Sequence, residues 1–174
     1  DGDINSQPQK KSDVPMISTP PVFRIQGKSG QIVRIVFNKF KQLPTDRETL
    51  YWFNSLQIPP SNISANSKKN EMLVMLRNRV KVFYRPDSIG KPKNILKGLK
   101  VEVVKDKLKG NGVKITNPQP WYASITNISF SDSDKNIKIP AEMIAPFSEG
   151  VVWMPKKYVS IAGEKDASVT AIND

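Results

Sequence analysis

The stretch Glu71–Pro86, EMLVMLRNRVKVFYRP, decides the fold, because it has the composition of a long strand with apolar residues on both faces. An apolar run comes first, and alternating cations and an aromatic pair follow it. Successive side chains of a strand point to opposite faces. One apolar row can face the core of its own domain, whereas the other needs a different cover. The two rows are Met72, Val74 and Leu76 on one face and Leu73 and Met75 on the other.

The remainder of the chain also has the composition of β-structure. Fourteen Pro, together with many Val, Ile and Thr, favour an all-β fold over long helices. Strand spacings of about 8–14 residues are typical of a β-sandwich. We expect a loop over 1–18 and a hairpin turn at Gly110-Asn111-Gly112. The predicted strands are 19–25, 31–37, 49–54, 71–84, 99–104, 112–116, 121–130, 136–139, 149–154 and 168–172.

The length and one Pro/Gly-rich segment predict two domains. The chain has 174 residues, which is enough for two domains of about 80–100 residues each. Residues 85–92, RPDSIGKP, contain two prolines and a glycine, a composition typical of a linker. We therefore predict a first domain over 1–84, a hinge over 85–92 and a second domain over 93–174.

The composition argues against several classes of protein. Cysteine and histidine are both absent, which removes thiolate chemistry, the commonest general base and the commonest metal ligands. The sequence has no paired-carboxylate motif and no phosphate-binding glycine loop, so we predict no enzyme, no metal and no cofactor. No apolar run is long enough to insert in a membrane. The formal net charge of +11 is spread along the chain, which favours a solvated surface over nucleic-acid binding.

Seven segments give the chain a family resemblance. In their order along the chain, they resemble the periplasmic chaperones of bacterial pili and fimbriae, the PapD-like proteins of the chaperone–usher pathway. These segments are 19–24 (TPPVFR), 46–52 (DRETLYW) with Asn54, 58–60 (IPP), 80–86 (VKVFYRP), 117–122 (NPQPWY), 143–147 (MIAPF) and 172–174 (IND).

The resemblance implies a fold and a location. Members of the family have two immunoglobulin-like β-sandwich domains in a boomerang arrangement and work in the periplasm. Compared with them, we expect the first domain to lack its N-terminal strands and the second to lack its last strand, which would leave exposed sheet edges. The short polar loop 61–70 and the absence of cysteine favour the short-loop branch of the family.

The resemblance also implies a binding mechanism. Such chaperones lend an edge strand to a pilus subunit, fill its groove with alternate apolar side chains, and deliver it to an outer-membrane usher. Met72, Val74 and Leu76 match the donated side chains, and Leu73 and Met75 then face the core. Lys81 matches the lysine that holds the subunit's C-terminal carboxylate. Because Lys81 follows Leu76 by five residues, we expect a bulge or a strong twist between them. A self-capping dimer is a further implied partner.

Four charged residues match the network that fixes the angle between the two domains in this family. The alternative for these residues is a set of exposed surface charges, each contributing little to stability. The four residues are Arg34, Glu48, Asp174 and, at the hinge, Arg85.

Two other functions and one other packing remain open at this point. A basic β-domain could bind nucleic acid through Arg77, Arg79 and Lys81, with an affinity that falls steeply with salt. An adhesin-like structural sandwich would instead self-associate. In the other packing, the row of Met72, Val74 and Leu76 is an ordinary core row, and Leu73 and Met75 are exposed.

Overall fold

The computed structural model of the chain describes residues 14–38, 42–59, 74–132, 135–155 and 167–171. Within these ranges the regular secondary structure is almost entirely β-strand, with one short helix and one 3₁₀ turn at Asp87–Ile89. The elements are β1 (Met16–Thr19), β2 (Arg34–Phe37), β3 (Thr49–Gln57), β4 (Leu76–Tyr84), α1 (Ile95–Gly98), β5 (Lys100–Asp106), β6 (Gly110–Asn117), β7 (Ile125–Asp132), β8 (Lys135–Pro140), β9 (Ser148–Trp153) and β10 (Ala167–Ala171).

The chain forms two compact units, Asp1–Leu43 and Pro44–Asp174. The described part of the first unit is an antiparallel ribbon in which β1 pairs with β2, from Met16 opposite Phe37 to Thr19 opposite Arg34. The prediction of a loop up to residue 18 followed by a strand over 19–25 is therefore wrong. Pro20 and Pro21 have no amide hydrogen to donate to a ladder, so the strand lies before them.

In the second unit, β3 and β4 form an antiparallel pair with one continuous register. Pairing runs from Gln57 opposite Leu76 to Thr49 opposite Tyr84. The bulge expected between Leu76 and Lys81 is absent, because every residue of β4 has a single partner on β3. Leu76 and Lys81 consequently lie on opposite faces of the pair. The strand also begins later than predicted, at Leu76, and residues 60–73 lie outside the described part.

The remaining strands form two three-stranded sheets, with the orders β5-β6-β9 and β10-β7-β8. Apolar side chains of β6 and β7 share one buried cluster. Ala123 and Ile144 join it and form a bridge between their two loops. The members of this cluster are Val113, Ile115, Ala123, Ile125, Ile128 and Ile144.

The hairpin β5–β6 places its turn earlier than the sequence suggests. Asp106 pairs with Gly110, so residues 107–109 form the turn. Gly110 has φ of 84°, a left-handed conformation that favours glycine, and it begins β6. Gly112 is needed for packing instead, because a Cβ there would lie 2.7 Å from Cε3 of Trp153. The predicted turn at Gly110-Asn111-Gly112 is therefore wrong by three residues.

Candidate functional site

The basic face of the β3–β4 pair has Trp52 at its centre. Trp52 lies directly opposite Lys81 in the register, so both side chains point to the same face. The Lys81 Nζ lies 5.7 Å from the centroid of the Trp52 ring and 3.7 Å from Sδ of Met143. Arg79, two residues earlier on β4, places its guanidinium carbon 4.2 Å from the same centroid. Both distances are within the usual range of cation–π contacts.

The aromatic end of this face reaches the second half of the chain. Phe83 follows Lys81 in the same row, and its ring centroid lies 5.6 Å from that of Tyr122, with the ring planes tilted by 52°. Such tilted pairs contribute beyond the area that they bury. Burial raises the pKa of the Tyr122 phenol above its ordinary value, while a hydrogen bond with the backbone of Leu50 opposes the shift.

The opposite face of β4 carries exposed apolar side chains in its first half. Leu76 is 57% exposed and Val80 on the same face is 56% exposed. Val74 and Met75, which precede the strand, are 56% and 54% exposed. The expectation that Met75 faces a core is therefore wrong, because more than half of its own surface is exposed. The third predicted member of the donated row, Met72, lies outside the described residues.

The buried carboxylate of Glu48, just before β3, bonds to Arg85 and to the backbone of Tyr122. Glu48 is only 4% exposed, and its Oε1 accepts a hydrogen bond from Nε of Arg85 at 2.6 Å. A second guanidinium nitrogen of Arg85 lies 2.6 Å from the same oxygen. The Oε2 atom accepts the backbone N–H of Tyr122 at 2.8 Å. Glu48 is thus satisfied at both oxygens, as a buried charge requires.

Further hydrogen bonds around Glu48 connect three segments, residues 45–48, 85–90 and 120–122. The Glu48 amide donates to the carbonyl of Pro120 at 2.8 Å. The hydroxyl of Ser88 donates to the carbonyl of Thr45, and Nε1 of Trp121 donates to the carbonyl of Gly90 at 3.4 Å. Residues 85–90 are therefore bonded to both neighbouring segments.

The four residues of the predicted charge network have different positions. Glu48 and Arg85 meet in an ion pair. Arg34 is exposed as the first residue of β2, in the unit Asp1–Leu43. Asp174 lies outside the described residues. The sequence reasoning missed Tyr122, Trp52 and Met143 as neighbours of the charged residues, although all three lie within the segments that carry the family resemblance.

The described part of the chain lacks two further features. None of its carboxylates, within those ranges, form a cluster of three or more that could hold a metal ion. Across the same residues, no helix has the length and apolar character to cross a membrane.

Comparison with known proteins gives matches over both halves of the chain. Residues 1–90 match the family described as "Pili and flagellar-assembly chaperone, PapD N-terminal domain". Residues 97–174 match "Pili assembly chaperone PapD, C-terminal domain". The probable fimbrial chaperone YadV of Escherichia coli K12 is 38% identical over 154 residues, which are 87% of this chain and 61% of that protein. The chaperone protein HifB of Haemophilus influenzae is 36% identical over 153 residues, which are 86% of this chain and 60% of that protein.

Solved structures agree with these matches. A crystal structure of the YadV chaperone has a TM-score of 0.75 at 34% identity, over 93% of this chain and 74% of that chain. A structure of the Salmonella enterica SafA pilin in complex with the SafB chaperone has a TM-score of 0.65 at 27% identity, over 82% of this chain and 64% of that chain. The chain spans about three-fifths of the length of the curated relatives YadV and HifB. Because both of its halves match, the chain belongs to the PapD family of pilus assembly chaperones, whose two domains are immunoglobulin-like.

Proposed function

We propose that the chain binds pilus or fimbrial subunits in the periplasm by lending them an edge strand, and that it passes them to an outer-membrane usher. The observation that carries this proposal is β4, which is an edge strand of the described sheet β3–β4. Leu76 at its start and Val74 just before it present exposed apolar side chains. Family membership supports this function over nucleic-acid binding or a structural sandwich. The SafA–SafB structure, a pilin with its chaperone, supports a subunit as the class of partner.

The exposed row supplies an apolar driving force. An edge strand pairs with an incomplete sheet through its backbone, and its alternate side chains enter pockets of the partner. Burying the side chains of Val74 and Leu76 contributes about 1.5–3 kcal/mol each. Association entropy and ordering of the partner strand offset part of this gain. We propose Met72 as the third donated side chain because of its spacing from these two.

Lys81 supplies the second element of recognition. Lys81 is exposed, and its ammonium group contacts a thioether sulfur and an indole ring. Neither neighbour neutralises its charge. We propose that Lys81 holds the C-terminal carboxylate of the subunit in a charge-assisted hydrogen bond. The anchor Lys81 and the donated Leu76 then lie on opposite faces of one strand with a continuous register.

The finer organisation is part of the same proposal. We propose domains over 1–84 and 93–174 joined by a hinge over 85–92, and the bonds of Glu48 with Arg85 and Tyr122 support a defined angle there. Arg34 and Asp174 complete the proposed network. The absence of cysteine supports the short-loop branch of the family. Without a subunit, we propose that the exposed rows of two copies cover each other in a self-capping dimer.

The test is the affinity for a pilus subunit that lacks its own N-terminal extension, measured by isothermal titration calorimetry. Val74→Glu and Leu76→Glu each place a charge in an apolar groove, so we expect at least about tenfold weaker binding. Lys81→Ala should also weaken binding about tenfold or more, because it removes a charge-assisted hydrogen bond. All three side chains are exposed, so circular dichroism should show unchanged secondary structure.

Leu108→Glu is the matched control. Leu108 is 86% exposed at the β5–β6 turn, and the same substitution there adds the same charge away from β4. We expect its affinity for the subunit to equal that of the parent. If Val74→Glu and Lys81→Ala bind as tightly as the parent, strand donation by β4 is wrong.

A further inference from the structure

The surroundings of Lys81 are unusual for an exposed lysine. Among the described residues, the one hydrogen-bond acceptor for its ammonium group is Sδ of Met143, at 3.7 Å. A thioether sulfur is a weak acceptor, and an ammonium group has three donors. The other neighbour, the Trp52 ring, attracts the charge through its π-face but accepts no conventional hydrogen bond. Two weak contacts, with the Met143 sulfur and the Trp52 ring, thus position the ammonium group and leave its N–H donors available to a stronger acceptor.

Trp52 has the position needed to direct this side chain. It is paired with Lys81 across the ladder, in a continuous register, so the ring and the lysine stem stand side by side on one face. Trp52 is half-buried, which restricts its own rotation. The lysine side chain has a flexible stem of four carbons. A contact that already restricts its conformations lowers the conformational entropy lost when it binds a ligand.

Arg79 adds a second positive charge to the same ring. Its guanidinium carbon lies 4.2 Å from the Trp52 centroid, closer than the Lys81 ammonium at 5.7 Å. Stacking suits the planar guanidinium better than the compact, strongly hydrated ammonium. The ring therefore gathers two cations on one face, an arrangement that fits a carboxylate.

We infer that Trp52 is the positioning residue that holds the Lys81 ammonium ready for the terminal carboxylate of a bound subunit, with the Met143 sulfur as the acceptor that the carboxylate replaces. This inference rests on the function proposed above, because it needs Lys81 to be the anchor. It adds a role for an aromatic side chain that itself makes no bond to the carboxylate.

The experiment compares two forms of one probe. The probe is a synthetic peptide with the sequence of a subunit's C-terminal strand, prepared as the free acid and as the C-terminal amide. Fluorescence anisotropy of the labelled peptides gives a Kd for each form, and the ratio of amide to acid Kd measures carboxylate recognition alone. A merely structural defect in β3–β4 would weaken both forms together and leave the ratio unchanged.

We expect a ratio of about tenfold or more for the parent, as a charge-assisted hydrogen bond predicts. Lys81→Ala should reduce the ratio to about one. Trp52→Leu should reduce it at least about threefold, whereas the Kd of the amide changes less than about twofold. Trp52→Phe keeps a smaller aromatic face and should restore an intermediate ratio. Met143→Leu should leave the ratio equal or higher, because it removes only the weak competing acceptor.

Trp153→Phe is the matched control, because Lys109 places its Nζ 5.4 Å from the centroid of the Trp153 ring, away from β4. Its ratio should equal that of the parent.

If Lys81→Ala abolishes discrimination while Trp52→Leu and Trp52→Phe keep the parent ratio, the positioning role is wrong and the proposed function stands. Equal weakening of acid and amide by Trp52→Leu also overturns the inference. If Lys81→Ala keeps the ratio, the anchor and the inference fail together. Should Trp52→Leu not fold, Trp52→Phe alone decides, since an unchanged ratio contradicts positioning.

Discussion

At the scale of single residues, the Glu48–Arg85 pair makes an asymmetric prediction. The side chain of Glu48 is 3% exposed and that of Arg85 is 37% exposed. Arg85→Ala leaves a buried carboxylate without its cation, and partial access of water limits the cost to about 2–3 kcal/mol. Glu48→Gln keeps an oxygen for the Tyr122 N–H and leaves a cation that water can solvate, so we expect about 1 kcal/mol. Urea denaturation followed by tryptophan fluorescence measures both, and equal losses would contradict this account of the pair.

The sequence predicts the members of such sites better than their neighbours. Glu48 and Arg85 were named from their family segments, and they do form an ion pair. The third partner is the backbone N–H of Tyr122, and a backbone donor has no signature in the sequence. The contact of Trp52 with Lys81 depends on the register between β3 and β4, and Gln57 at the end of β3 lies 19 residues before Leu76 at the start of β4. A one-residue shift would place Trp52 on the other face.

At the scale of elements, the β5–β6 hairpin predicts a dependence of stability on pH. Oδ1 of Asp106 accepts the backbone N–H groups of Leu108 and Lys109, each at 2.8 Å. These hydrogen bonds, of which the one from Lys109 has the larger effect, lower the pKa of Asp106 below its ordinary value of 3.8. A carboxyl with a lower pKa in the folded state stabilises the fold above the unfolded value. That contribution is lost as the pH falls through the folded value.

Asp106→Asn tests this assignment, because it keeps the Oδ1 acceptor and removes the charge. We expect the parent to be more stable than the variant at neutral pH, and we expect the difference to narrow as the pH falls below 3.8. Urea denaturation midpoints at a series of pH values provide the measurement. A difference that stays constant from neutral to acidic pH would show that the carboxylate charge is not what the turn recognises.

The existence of most strands followed from composition and alternation, but their ends did not. Proline moved the first strand to Met16–Thr19, because a residue without an amide hydrogen cannot continue a ladder. The glycine pair at 110 and 112 serves two different purposes, one conformational and one steric. The bulge in β4 is expected only if Leu76, as a donated side chain, and Lys81, as the carboxylate anchor, must lie on the same face. The continuous ladder shows that the strand keeps Leu76 and Lys81 on separate faces.

For the whole molecule, the all-β composition and the family resemblance were the strongest predictions, and the matches to both PapD domains confirm the two immunoglobulin-like domains. Burial was harder to predict. A row of apolar residues shows that one face of a strand can be buried, but whether it is buried depends on which sheets pack against it. Val113 and Ile115 of β6 are fully buried, whereas Leu76 and Val80 of β4 are more than half exposed. Both strands alternate in the same way, so alternation alone cannot separate them.

This unequal burial predicts two levels of backbone protection, which hydrogen–deuterium exchange with mass spectrometry can measure. The hydrophobic core of the described residues lies between Val113 and Met154, so amides of β6 and β7 should exchange slowly. Amides of β3 and β4 should exchange faster. Adding a pilus subunit should slow exchange selectively in β4 and its partner β3, because strand donation covers the exposed row. Slowing confined to β6 and β7, with β4 unchanged, would place the subunit on the second sandwich and contradict binding through β4.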